Sequence, residues 1–192
     1  MYDLQYSKSW PAPNLVGLMA LAQHHNIPTR LLDWTRRSYV AAYFAASQNL
    51  RSSPAKNSRM AVWILDRSLI QDISDVTDGI SQPVYPSIQI VTAPGAVSVN
   101  LAAQSGLFTL LLESGDLNRP VQSRTLETEF TACSETHLWK LTVPSSEAEA
   151  VLDLCRLYGV TAATLFPGYD GVGFPVLDRA RTWTDASLPI YL

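Results

Sequence analysis

Gln23-His24-His25-Asn26-Ile27-Pro28-Thr29-Arg30-Leu31-Leu32-Asp33-Trp34-Thr35, followed from Ser38 by Tyr39-Val40-Ala41-Ala42-Tyr43-Phe44-Ala45-Ala46, is the stretch from which the rest of the chain is read. Upstream of it, Leu15, Leu18, Met19, Leu21 and Ala22 recur at helical spacing. This predicts a helix over 15–25, capped by Asn14, preceded by Pro11 and Pro13 and stopped at Asn26. Pro28 biases Ile27 away from helical angles. Residues 29–33 then read as a short buried strand, and Asp33-Trp34-Thr35 as a turn in which a short acidic side chain accepts backbone N–H groups. The alanine-rich run after Ser38 is apolar on nearly every face and predicts a helix buried on most sides.

Further along, 49–59 is polar, contains Pro54 and reads as a loop, and 60–65 as a strand ended by Asp66. A weakly patterned middle covers 67–96. After the bend at Ser105-Gly106, the run 107–112 reads as a buried strand. Residues 113–136 form a loop rich in Thr, Ser and Glu, and 137–143 alternates polar with apolar, which predicts a strand with one wet face. Ser146 and Glu149 make a capping box for a helix that contains Val151, Leu152, Leu154 and Cys155 and ends at Gly159. A final helix is expected over 171–181. Strands and helices interleave without a regular β-α-β rhythm, so the expected fold is α+β: one domain over 1–192, a mixed sheet with flanking helices.

Composition narrows the function classes. Of the 192 residues, 47% are hydrophobic and 16% charged, a globular balance with a thinly charged surface. A net charge of −3 gives no footprint for duplex DNA or a long RNA, which need clustered Lys and Arg to displace counterions. Arg36 and Arg37, with Arg30 upstream, form the one basic cluster. Cys133 and Cys155 lack C-x-x-C spacing, and no segment reaches the roughly 20 apolar residues of a spanning helix. The expectation is a cytoplasmic protein that engages no membrane.

Arg30 stands out as a permanently charged fork inside an apolar strand, where burial unpaired is costly. Its partner is either an acidic group or helix C-terminus of the fold, or a carboxylate or phosphate of a ligand. Asp33 reads as a cap for the following helix. Gln104 sits at a glycine-permitted bend, placed either to bond a ribose hydroxyl or to tie the bend. Trp34, Tyr43 and Phe44 either flank a planar ring or form plain core. His24 and His25 are adjacent on a helix, so they diverge rather than chelate, and no metal is expected. No G-x-G-x-x-G, P-loop or G-x-S-x-G sequence occurs.

The run 22–35, with Val40-Ala41-Ala42-Tyr43-Phe44-Ala45 after it, resembles the signature of the FRG domain family. Gln104-Ser105-Gly106-Leu107-Phe108-Thr109 is similar to that family's later Gln-x-Gly-x-Phe element, and 164–171 to its closing motif, so the resemblance covers about 15–182. The Phe/Tyr-Arg-Gly tripeptide that names the family is absent ahead of the helix, which suggests a shortened or split member. The family's order of parts is in turn similar to that of ADP-ribosyltransferases, an analogy of fold only. That analogy implies an ADP-ribosyltransferase-like fold, NAD as cofactor and a protein acceptor, in a toxin or phage-defence setting. In that frame Arg30 steadies phosphate and Gln104 contacts ribose, these two being the catalytic candidates. His24, Thr29, Arg30, Asp33, Trp34, Tyr43 and Phe108 are the cofactor-binding candidates. The rival reading is a non-catalytic module that binds a small nucleotide or a protein.

Overall fold

The structure is a computed structural model, and it describes residues 9–11, 13–24, 27–68, 70–72, 87–92, 99–114, 125–131 and 137–167. The expected helix over 171–181, Cys133 and most of the middle segment lie outside the described residues. The chain divides into two compact units: 1–36, 63–98 and 106–141 form the first, and 37–62, 99–105 and 142–192 the second. The described residues are mixed α+β, as expected, with strands and helices interleaved along the chain.

The first unit is organised around a four-stranded sheet. It contains β2 (Leu31–Thr35), β4 (Gln71–Asp72), β5 (Ile88–Val91) and β6 (Gly106–Leu111), in the order β2-β6-β5-β4. β6 runs antiparallel to both neighbours, while β4 and β5 are parallel, so the sheet is mixed. A short antiparallel pair, β1 (Ser9–Trp10) with β7 (Glu113–Ser114), accompanies it. The core gathers Ile70, Ile88, Ile90, Leu107, Leu126 and Phe130, with Trp34 packed on it. Alternation assigns Leu107 and Thr109 to one face of β6 and Phe108 and Leu110 to the other. All four are buried, so the apolar run marks a strand covered on both sides.

Two boundaries moved for physical reasons. Helix α1 (Pro13–His24) begins at a proline, whose fixed φ suits a first turn, and therefore takes Asn14 into its body rather than using it as a cap. Strand β2 starts at Leu31 and continues through Asp33, Trp34 and Thr35, which pair with Phe108, Leu107 and Gly106. Sheet hydrogen bonding there takes the place of the expected turn.

In the second unit, α2 (Ser38–Arg51) packs on α5 (Ala148–Leu157). Val40, Tyr43, Cys155, Val160, Ala162 and Leu165 make the core between them and α6 (Ala162–Leu165). A second cluster joins Ala46, Met60 and Ala148. The ring of Tyr158 stacks on Tyr39 with centroids 4.2 Å apart. α2 runs past Asn49, where a loop was expected, and the Arg51 guanidinium folds back to donate to the Ser47 carbonyl and hydroxyl. The expected capping box at Ser146 does not form. Residues Ser145–Glu147 make a 3-10 turn, and α5 has Glu147 as its N-cap without a side-chain bond. Ser145 Oγ is engaged instead by Asn49 Nδ2 at 2.9 Å and the Ser58 hydroxyl at 2.7 Å.

Strands β3 (Arg59–Leu65) and β8 (Leu138–Pro144) pair as a two-stranded sheet. Alternation in β8 did mark a strand, but not a buried face. Trp139, Leu141 and Val143 are 42%, 56% and 38% exposed, because a two-stranded ribbon offers too little surface to bury either side alone.

The α5 stop at Gly159 formed as expected. Val160 N–H reaches the Cys155 carbonyl and Gly159 N–H that of Arg156, the paired bonds of a Schellman end, with Gly159 at φ +72°. A Cβ added there meets no atom within 4 Å, so the cost of Gly159→Ala is backbone strain alone. We expect a loss of about 1 kcal/mol, read as a lowered urea midpoint with unchanged slope. Among the described residues no helix is long and apolar enough to cross a membrane.

Candidate functional site

In the first unit the functional candidates surround the passage from α1 to β2. Gln23 lies in the last turn of α1, and Ile27 N–H closes that end on the Ala22 carbonyl. Beyond Pro28 the Thr29 hydroxyl donates to Gln23 Oε1, while Thr29 Oγ1 accepts Leu31 N–H at 3.1 Å. The other end of the Gln23 amide donates to Asp33 Oδ2 at 2.8 Å. One side chain thus ties helix, turn and strand together, using both its donor and its acceptor.

Arg30 stands within this frame, between Thr29 and Leu31. It lies on a bend just before β2 and is exposed, so the buried position expected for it inside the strand is corrected. Asp33 does not cap the next helix either. It is a strand residue bonded to Gln23, and the N-cap of α2 is Arg37, which makes no side-chain cap bond. Withdrawal from water raises the Asp33 pKa above its ordinary value, and the Gln23 hydrogen bond opposes that rise.

Trp34 is half-buried, packs on the first core and donates its indole N–H to Thr109 Oγ1 at 2.9 Å. Phe108 is 4% exposed and pairs across the ladder with Asp33. Both serve the core of the unit. His24 ends α1; His25 and Asn26 lie outside the described residues.

The remaining candidates belong to the second unit. Gln104 follows α3 (Val99–Ala103), is half-buried and donates Nε2 to the Leu165 carbonyl at 3.2 Å. It ties its bend to α6, and the residue with left-handed backbone there is Ser105 at φ +50°, not the glycine beside it. Tyr43 is buried in α2, edge-on to Phe44 with centroids 5.8 Å apart. Arg37 donates to the Ala103 carbonyl at 3.5 Å. Among the described residues no three His, Cys, Asp or Glu side chains gather as a metal site would require.

Gln23 is the residue that sequence reasoning missed. Its signal was weak: an amide at a helix end, with Thr and Asp six and ten residues on. Only the fold brings those three together. No curated protein matches the chain, and no solved structure matches it. The family model described as FRG domain matches residues 2–53, a span that ends before Gln104 and leaves the likeness of the later elements to their motifs alone. That matched span contains Gln23, Thr29, Arg30 and Asp33.

Proposed function

We propose that the chain is an NAD-directed, ADP-ribosyltransferase-like domain in which Arg30 grips phosphate. One observation carries this reading: an exposed guanidinium is presented on a turn that Gln23, Thr29 and Asp33 hold by side-chain hydrogen bonds. A guanidinium carried at the surface suits a diphosphate, because its planar fork pairs phosphate oxygens through two parallel hydrogen bonds. NAD, when bound, supplies the ADP-ribosyl group and nicotinamide as its leaving group. Arg30 orients the diphosphate. A protein side chain is the acceptor in this reading.

A second reading, a module that binds a nucleotide or a protein without turnover, is favoured by a specific observation. Three residues expected beside the nicotinamide or ribose have structural employment: Trp34 bonds Thr109, Tyr43 is buried in its core, and Gln104 secures α6.

The same experiment separates the two. Nicotinamide released from NAD is followed by chromatography, and NAD binding by calorimetry, for the chain and for Arg30→Ala. A hydrogen bond to a charged group contributes roughly 1.5–3 kcal/mol, so Arg30→Ala is expected to lower kcat/KM for release by about tenfold or more. Binding without release selects the second reading, and absence of both rejects an NAD-directed role altogether.

A further inference from the structure

The second unit carries a depression of about 530 Å³, formed by the loop that joins α2 to β3 and the turn that joins β8 to α5, and lined by 54–59 and 144–146. Its two walls are tied to each other by the protein itself. Ser145 N–H donates to the Ser58 carbonyl at 2.9 Å, the Ser58 hydroxyl meets Ser145 Oγ at 2.7 Å, and Asn49 Nδ2 reaches the same oxygen at 2.9 Å from α2. Arg59 spans the strands, its Nε donating to Thr142 Oγ1 and its Nη2 to the Thr142 carbonyl, each at 2.9 Å. That edge of the guanidinium is spent, so Arg59 fixes a wall and adds positive charge without offering a fork.

Three donors of the lining remain. Lys56 is exposed on the loop, and its ammonium makes no hydrogen bond or ion pair among the described residues. The exposed Ser146 hydroxyl is in the same position. A hydroxyl has one proton and two lone pairs. With Asn49 Nδ2 on Ser145 Oγ and one bond shared between Ser58 and Ser145, one proton of that pair has no acceptor among the described residues. The charged groups of the lining, Lys56 and Arg59, are both cationic, and no aromatic ring joins them among the described residues.

We infer that this depression binds a small phosphate monoester of sugar type, with its phosphate on Lys56. An ammonium and two hydroxyl donors carried by separate segments suit an oxyanion with three terminal oxygens better than a flat carboxylate with two. Without aromatic surface a nucleobase has nothing to stack on, and the volume is within the range of small-molecule sites. The site shares no residue with the Arg30 frame or with the other NAD candidates, so it stands whether or not the chain acts on NAD.

The test is a titration followed by ligand-observed saturation-transfer NMR, with ribose 5-phosphate, its neutral parent ribose, and AMP as probes. Ribose 5-phosphate is expected to bind at least tenfold more tightly than ribose. Lys56→Gln, a change at an exposed loop position, should erase that preference and leave the thermal transition in place, whereas Arg30→Ala should leave the preference intact. Equal binding of the two sugars by the unaltered chain, or a preference that survives Lys56→Gln, overturns the assignment. A preference lost in Arg30→Ala also overturns it, by placing the phosphate on Arg30 instead. So does Lys56-dependent binding of AMP tenfold tighter than that of ribose 5-phosphate, which would make a base part of what is recognised.

Discussion

Leu110→Ala is expected to destabilise the chain by about 2–5 kcal/mol, the range for removing a fully buried leucine side chain and leaving a cavity. Leu110 is 0% exposed and lies in the interior of β6, paired with Leu31 on one side and Gln89 on the other. Leu31, Phe108 and Val91 are buried around this ladder. The backbone bonds of the ladder do not involve the side chain, so the strand has every reason to stay in place while the space goes unfilled. Leu32→Ala is the control. It removes the same atoms one ladder position away on β2, but Leu32 is 51% exposed, and its loss should cost well under 1 kcal/mol. Urea denaturation of the two variants decides the matter, and equal losses would mean that β6 is not the centre of its unit.

What was legible in the sequence was what local chemistry decides. Proline before and asparagine after an apolar stripe located α1 within two residues. The unbroken run from Leu107 located β6, and Gly159 supplied the left-handed stop that α5 needs. The misreadings share a cause: a residue with an obvious local use was claimed by a distant one. Asp33, Trp34 and Thr35 have turn chemistry, yet β6 pairs with all three. Ser146 and Glu149 have the spacing of a capping box, but contacts from Asn49 and Ser58 to Ser145 accompany a 3-10 turn there. Arg30 reads as a strand residue only if the strand begins at Thr29, whereas β2 begins at Leu31. The site was less legible than the fold, because its centre is Gln23, whose partners are set by how α1 and β2 meet and not by any spacing.

Gln23→Ala is the sharpest test of that centre, expected to cost about 0.5–1.5 kcal/mol at neutral pH, since it removes the common partner of a carboxylate and a hydroxyl that water can reach. The loss should also depend on pH, with a sign fixed by Asp33. Its pKa is raised in the fold above the ordinary 3.8, so its contribution to stability is complete below that value and declines as pH rises through the folded pKa. The Gln23 hydrogen bond favours the ionised form and opposes the decline. Without it the Asp33 pKa rises further. The gap in stability between the chain and Gln23→Ala should therefore be small at pH 3, where Asp33 is largely protonated in both states, and wider at pH 7. Urea denaturation at the two pH values measures it. A gap of equal size at both would mean that Gln23 supports the turn through Thr29 alone. A gap that widens with pH identifies the Gln23 amide as what holds a charged Asp33 beside the Arg30 bend.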